Sequence, residues 1–480
     1  MRLQVVFRHV TFLLFILSLS FLFPAVYSLW VNDGLFMSFL YPLFLSFSLF
    51  LLGIQFENKE PKVKEAILVV VLTWFLFPVL SALFYIESGA IPYFADAYFE
   101  SVSGFTTTGA SVLSDIESLP KSVLLWRSTT HWIGGIGFVV FSLSLLPVFG
   151  AGGAQLMRFE AAKAIEEKVL PRVKETARAI LVVYLLLTLS EVVLLKLCGM
   201  SLFQAINHTF ATVATGGFST KNESVGAFHS FTVEMVIAVF MILGALNLSL
   251  YYRAFRARSL KVFFSNHEVK GLLAVIFIST LFSMAVLLKE HVYTDLFTAF
   301  RYAFFQVVTA ATTTGFSSTD YTNWPPSILA LIMFLSLIGA SSGSTAGGIK
   351  QFRFIVMLKT VYSELKKTAH PRMVYRVSIG NRVLELSILN TIWAFISVYF
   401  STAAIFGFII AAFGHDLVTS FSASVACITS LGPGLGRVGP AGNFGFFSDP
   451  EKLLLSLEMI LGRLEVFAVF AVLLPSFWKE

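Results

Sequence analysis

Apolar residues lie along this chain in long, nearly unbroken runs divided by short polar segments. A helix that crosses the hydrocarbon core of a bilayer needs about 20 mostly apolar residues. Runs of that kind occupy 10–30, 35–55, 66–86, 122–149, 178–198, 230–252, 270–288, 326–358, 384–412 and 453–478, and they predict ten spanning helices. The first run follows Arg2 and Arg8. It is longer than the apolar core of a signal peptide and has no small-residue cleavage site, so the pattern predicts a retained helix.

The connections after spans three, five, seven and nine are long, and each carries a half-apolar stretch too short to cross. Each stretch then reaches a Thr/Gly cluster: 103–110 (SGFTTTGA), 211–220 (ATVATGGFST), 311–318 (ATTTGFSS) and 428–436 (ITSLGPGLG). The unit of helix, short re-entrant helix, Thr/Gly strand and helix thus occurs four times, after one extra N-terminal helix pair. Every unit starts and ends on the same side, so the repeats are parallel and related by an axis along the membrane normal. The expected fold is an all-α polytopic membrane protein, with four parallel helix–pore loop–helix repeats around one pseudo-four-fold pore. Its boundaries are a helix pair at 1–60 and repeats at 61–160, 161–262, 263–375 and 376–480.

Composition agrees. The 480 residues are 56% hydrophobic and only 13% charged, against about 45–50% and about 25% in soluble proteins. Soluble enzymes, nucleic-acid binders and secreted scaffolds are excluded. Two cysteines, Cys198 and Cys427, make neither a disulfide framework nor a zinc site. Lys and Arg mark the cytoplasmic side. They gather at Lys59–Lys64, at Arg158–Arg178, at Arg253–Lys270 and at Lys350–Arg382, whereas the opposite segments hold few. Both termini are expected in the cytoplasm.

Non-helical backbone is tolerated at membrane depth only inside protein or along a wet cavity. Four Gly-bearing strands around one axis meet that condition as a constriction, where inward carbonyls replace the hydration shell of a cation. Glycine supplies the positive φ that turning carbonyls inward can require, and Thr hydroxyls can add oxygens or brace the strand. The clusters contain no Asp or Glu, which argues against a carboxylate filter. Asp96, Glu100, Asp115, Glu117, Asp320, Asp416 and Asp449 are expected around the outer mouth, where they would concentrate cations.

At these clusters the sequence resembles the Trk/Ktr/HKT superfamily of potassium transporters, and within it the TrkH-type membrane subunit. The strings SVSGFTTTGAS, TFATVATGGFST, ATTTGFSSTDY and LGPGLGRVGP carry the likeness, with GASSGSTAGGIK at 339–350 and LGRLEVF at 461–467. The resemblance implies potassium uptake across the inner membrane, without enzymatic chemistry or a covalently bound cofactor. Its filter would comprise Thr107, Thr108, Gly109; Ala214, Thr215, Gly216, Gly217; Thr313, Thr314, Gly315; and Leu431, Gly432, Pro433, Gly434. The filter glycines would be Gly109, Gly217, Gly315 and Gly434, with Gly216 and Gly432 as the other candidates in their repeats. The resemblance also implies a homodimer and a cytoplasmic nucleotide-binding ring of the TrkA/KtrA type. This chain has no GxGxxG fingerprint of its own. The basic segments 158–178 and 350–376 are the expected docking sites, and no nucleic acid is implied.

Ten small residues, 339–348, interrupt span eight, and helix there is disfavoured because each Gly costs about 1 kcal/mol relative to Ala. They predict a flexible intramembrane loop containing Gly339, Gly343, Gly347 and Gly348, with Lys350 at its cytoplasmic side, and the resemblance implies that it is the gating loop. Arg463 sits deep in span ten, where an Arg costs about 2.5–3.5 kcal/mol and faces the protein interior. It is expected either to form an electrostatic barrier under the filter or to pair with Glu458, Glu465 or another helix. Arg127, His131, Glu191, Glu234 and Glu385 read as structural or interfacial. An organic-solute transporter and a membrane enzyme fit less well, since the repeats are not inverted and no catalytic constellation lies within a span. A sodium or ammonium pore of the same build remains the alternative.

Overall fold

The computed structural model describes residues 1–145, 169–372, 376–379 and 382–479. Expectations that fall on 146–168, including the docking role of most of 158–178, lie outside them. An N-terminal group comes first: α1 (Leu3–Ser18), one 3-10 turn, α2 (Leu22–Val31) and α3 (Phe36–Gly53). Unit one is α4 (Val63–Glu87), α5 (Phe94–Phe105) and α6 (Lys121–Leu145). Unit two is α7 (Val169–Leu197), α8 (Leu202–Val213), α9 (Phe231–Ala245) and α10 (Leu248–Ala257), followed by the short α11 (Lys261–Ser265). Unit three is α12 (His267–Lys289), α13 (Leu296–Ala311), α14 (Pro326–Ile338) and α15 (Gln351–Ala369). A two-stranded hairpin, Ser378–Ile379 with Arg382–Val383, leads into unit four. That unit is α16 (Leu386–Ala412), α17 (Leu417–Thr429), α18 (Asp449–Arg463) and α19 (Phe467–Leu473), and a last turn, Pro475–Trp478, follows it.

The short helices α5, α8, α13 and α17 have 12, 12, 16 and 13 residues, too few to cross at 1.5 Å per residue. Local chemistry starts them. Asp295 and Asp416 accept a backbone N–H as N-caps, and Ser201 forms a capping box with Gln204. Each short helix packs on the long helix before it: α5 on α4, α8 on α7, α13 on α12 and α17 on α16. The contacts between units run in one direction. Helix α6 packs on α8, α9 on α13, α14 on α17, and α18 returns to α5. The order closes a circle.

Among the described residues six helices are long and apolar enough, by length and composition, to cross a membrane, or seven with α9 and α10 counted as one span. The ten-span expectation overcounts helices of that kind because the second helix of a unit is polar or broken. Helix α6 carries Arg127, Ser128, Thr129, Thr130 and His131, all buried. Span six is not continuous: the chain turns by 87° between α9 and α10, and Asn247 caps the new helix by accepting Ser249 N–H at 2.9 Å. Span ten is also broken, with Glu465 and Val466 at φ 56° and 54° just after Arg463. Span eight breaks where the small-residue run predicts, between α14 and α15.

One ion pair clips units two and three together. Arg301 on α13 donates to both carboxylate oxygens of Glu234 on α9, at 2.8 and 2.7 Å. Glu234 is buried, so removing its partner strands a charge. Arg301→Ala is expected to lower stability by about 2–3 kcal/mol, read as a fall in thermal midpoint in detergent, and Arg301→Ala with Glu234→Gln is expected to recover part of it.

Candidate functional site

The four Thr/Gly segments begin where the short helices end, and all four end them alike. Thr107, Thr215, Thr313 and Ser430 take left-handed φ values of 56°, 52°, 53° and 57°. Each donates its N–H three residues back, and the next residue donates five back. Thr108 reaches Ser103 O at 2.9 Å, Gly216 reaches Ala211 O at 2.7 Å, Thr314 reaches Thr309 O at 2.9 Å and Leu431 reaches Ala426 O at 2.9 Å. This is the Schellman closure with a hydroxyl residue where Gly is usual. A left-handed non-Gly residue costs on the order of 1–3 kcal/mol and persists where its surroundings over-determine it. The residue two positions on is Gly in every case, with Gly109, Gly217, Gly315 and Gly432 at φ 83°, 83°, 87° and 91°.

These glycines join the segments into a ring. A methyl group on Gly109 would overlap Gly216 O, one on Gly217 Thr314 O, one on Gly315 Leu431 O, and one on Gly432 Thr108 O. Each glycine therefore abuts a carbonyl of the next segment, and the fourth meets the first. The register of the fourth segment follows. Its member of the ring is Gly432, not Gly434, whose φ is not positive and whose N–H donates to Val438 O at 2.7 Å. Pro433 comes after the ring. Ser430, which the sequence pattern does not single out, holds the position of Thr107, and Leu431 that of Thr108.

The back of the ring is braced alike in segments one and three and differently in segment two. Thr106 and Thr108 share a hydroxyl hydrogen bond of 2.7 Å, and Thr312 and Thr314 one of 2.8 Å. Segment two has Ala214 and Gly216 instead, and His131 fills the space, since any Cβ on Gly216 would overlap its imidazole. His131 also stacks on Phe218 with ring centroids 4.1 Å apart, and the Arg127 guanidinium lies 4.0 Å from the same ring. Arg127 in turn donates to Glu100 at 2.9 Å, which accepts Val112 N–H at 3.0 Å. His131 thus supports the ring directly and Arg127 through Phe218 and Glu100, a structural role of the kind the sequence reading gave them. The missing side chain at Gly216 was the available signal for His131.

Outside the ring lies a cavity of about 150 Å³ that touches all four glycines, with Arg127 and Lys221 in its lining and no carboxylate. Five of the acids expected there are held by hydrogen-bond or ion-pair partners, two of them by the cavity-lining Arg127 and Lys221. Glu100 pairs with Arg127, Asp96 with Lys452 and Glu117 with Lys221; Asp416 caps α17, and Asp320 binds Thr322.

Residues 339–350 form a buried loop on the other side of the ring. Thr345 Oγ1 donates to Val213 O at 3.0 Å and lies 3.2 Å from Thr215 Oγ1. Gly347 N–H donates to Thr313 Oγ1 at 2.7 Å, and Gly348 N–H to Thr429 O at 3.1 Å. The loop therefore bonds to segments two, three and four. Lys350, at φ 79°, turns its ammonium back onto Ala346 O. Arg463 donates to Thr345 O at 2.8 Å and to Gly134 O at 3.3 Å. It stands 4.3 Å from the Phe138 ring. Its expected carboxylate partners are otherwise engaged: Glu465 pairs with Arg353 at 2.6 Å and Glu458 accepts from Ser424 at 2.5 Å. Among the described residues Arg463 makes no ion pair. Nor do the described residues include a His/Cys/Asp/Glu group that could hold a metal ion.

Residues 43–478 match the TrkH family, described as cation transport proteins. The chain belongs to the TrkH family. It is 36% identical over 490 residues to the Trk system potassium uptake protein TrkH of Vibrio parahaemolyticus, with 100% of both chains covered. Identity to Trk system potassium uptake protein TrkG of Escherichia coli is 33%, with 99% of both covered. The crystal structure of the potassium transporter TrkH from Vibrio parahaemolyticus matches with a TM-score of 0.91 at 34% identity over 100% of both chains. As a TrkH-family member the chain is a multi-pass membrane transporter and not an enzyme.

The Glu117–Lys221 pair ties two segments beside the outer cavity, and its hydrogen bond holds the Glu117 carboxyl below the usual carboxylate range. A depressed carboxylate contributes stability above its unfolded pKa and loses it as pH falls through the folded one. The tie is therefore expected to hold at pH 6 and to release below about pH 4. Hydrogen exchange at Asn222, whose N–H meets Glu117 at 3.4 Å, should quicken beyond its intrinsic pH dependence, and Glu117→Gln should remove that change.

Proposed function

We propose that this chain is the membrane subunit of a Trk-type potassium uptake system, and that the four-segment ring is its selectivity filter. The observation that carries this reading is the closed order of contacts, in which each of Gly109, Gly217, Gly315 and Gly432 abuts a carbonyl of the next segment. Carbonyl oxygens gathered on one axis can replace the hydration shell of a monovalent cation. The four short helices end at the ring, so their partial negative ends add to its attraction for a cation. Glycine in every segment is the pattern the family resemblance associates with potassium. Parallel repeats agree with the circular packing of the four units, and cytoplasmic termini with the distribution of Lys and Arg.

The buried loop is the gate in its closed position. It bonds to three of the four filter segments, and a cation leaving the ring would meet backbone N–H groups instead of carbonyls. Arg463 adds a positive charge beneath the ring, unpaired by a carboxylate and therefore repulsive to cations. Opening requires the bonds from Thr345, Gly347 and Gly348 to break together. The relatives' names refer to a Trk system, which supports partner components. We assign that role to a cytoplasmic nucleotide-binding ring docked on 350–376, with the membrane subunit as a homodimer.

Rubidium uptake into liposomes, competed by potassium or sodium, tests the filter. Gly432→Ser should reduce the preference for potassium by an order of magnitude or abolish uptake, whereas Gly434→Ser should leave the preference in place. The reverse result would refute the register, and equal competition by sodium in the unaltered protein would refute the potassium filter. For the gate, Arg463→Gln should raise uptake in the absence of any partner by several fold; an unchanged rate would remove Arg463 from it.

A further inference from the structure

Helix α10 leaves the end of α9 at 87°, so the chain turns sharply off the direction of its span there. Residues 246–267 contain Arg253, Arg256, Arg258 and Lys261 and no Asp or Glu. Leu248, Leu250 and Ala254 are buried, whereas Tyr252, Phe255, Leu260 and Phe264 are 45%, 84%, 72% and 64% exposed. Exposed aromatics interleaved with arginines are the composition of a helix lying in the bilayer interface, where anionic headgroups meet the cations and acyl chains the rings. An acidic protein surface would satisfy the charges but leave Phe255, Leu260 and Phe264 in water. Positive-inside bias alone accounts for the charges, not for the rings.

The same helix is fastened to the loop under the ring. Leu248 N–H donates to Gly343 O at 3.2 Å, and Ser341 N–H donates to Ala245 O at 3.2 Å. Thr345 Oγ1 also reaches Gly244 O at 3.2 Å, and Asn247 packs against Gly343, where a Cβ would come within 2.9 Å of its amide. Tyr251 braces the corner, its hydroxyl donating to Leu243 O at 2.7 Å, and stacks edge-on with Phe263 of α11 at 5.0 Å. Moving α10 cannot leave the Leu248–Gly343 bond and the Asn247–Gly343 contact in place, and it pulls on the corner where Ser341 and Thr345 bond the end of α9.

We propose that α10 and α11 form a surface lever that binds anionic phospholipid headgroups and, lying in the membrane plane, holds the buried loop against the ring. The gating part of this rests on the reading of 339–350 as a gate. Binding through Arg253, Arg256, Arg258 and Lys261 favours the in-plane pose, so an anionic leaflet raises the barrier to opening. A stimulus that releases the lever frees Gly343 and loosens the corner to which Ser341 is bonded.

Hydrogen exchange of the full chain in nanodiscs tests this without relying on ion flux. The probes are phosphatidylcholine discs with and without phosphatidylglycerol. Phosphatidylglycerol is expected to slow exchange at Ser341 and Leu248 several fold, and the triple change Arg253→Gln, Arg256→Gln, Arg258→Gln to remove the effect, with roughly fivefold weaker lipid preference per arginine. Should that variant fail to fold, raising salt to about 1 M must erase the effect in the unaltered protein. Equal exchange in both discs, or protection that survives the substitutions or salt, overturns the proposal. Protection by free glycerol phosphate in phosphatidylcholine discs overturns the membrane as the source. Rubidium uptake on the same discs' lipids reads the gate separately: a lipid effect on exchange with no effect on uptake refutes the gate reading and leaves the lipid site standing.

Discussion

Extended backbone inside a membrane must find partners for its carbonyls or turn them on something that wants them. Four stretches of this chain are extended at the ends of short helices, and none has a sheet to join. Their solution is mutual. Each presses a glycine against a carbonyl of the next, and the left-handed residue two positions earlier turns the chain into that contact. The helices' circular packing, the small residues at their crossings and the buried Arg127–Glu100 pair all serve to hold four strained turns in one register.

That constraint explains why the second helices break. A straight, apolar helix would bury nothing but side chains against the ring. Instead α9, α14 and α18 stop beneath it, and the freed backbone reaches inward. The loop from α14 uses that freedom to bond across three segments. Arg463, at the break after α18, satisfies part of its guanidinium with carbonyls of the loop and of α6. Carbonyl dipoles and the Phe138 ring stand around that buried guanidinium. The α9–α10 corner extends the same device outward, so that the loop is joined to a helix that turns away from its span.

Much of this was legible in the chain itself. Runs of apolar residues marked the long helices, and the recurrence of Thr/Gly clusters after short half-apolar stretches marked the four units. The run of small residues at 339–348 announced a break because glycine there has no helical purpose. The breaks at Leu246–Asn247 and Glu465–Val466 were not legible. Asn, Glu and Val are compatible with a helix, and only the need to approach the ring makes those positions bend. Arg127 and His131 were read as structural, but what they brace was not legible. A charged or aromatic residue in a span looks alike whether it faces a neighbouring helix or the back of the ring.

The sequence by itself determined the class, the number of units, the glycine-bearing segments and the interrupted eighth span, because hydropathy and glycine are local and additive along the chain. Only the tertiary structure decided which glycine of the fourth segment joins the ring. Gly432 and Gly434 are two residues apart in the same composition, and they differ only in which meets Thr108 across the ring. It also decided which partners hold the acids near the mouth, and that Arg463 makes no ion pair among the described residues. Those outcomes depend on which residues distant in the chain become neighbours, and no local pattern records that.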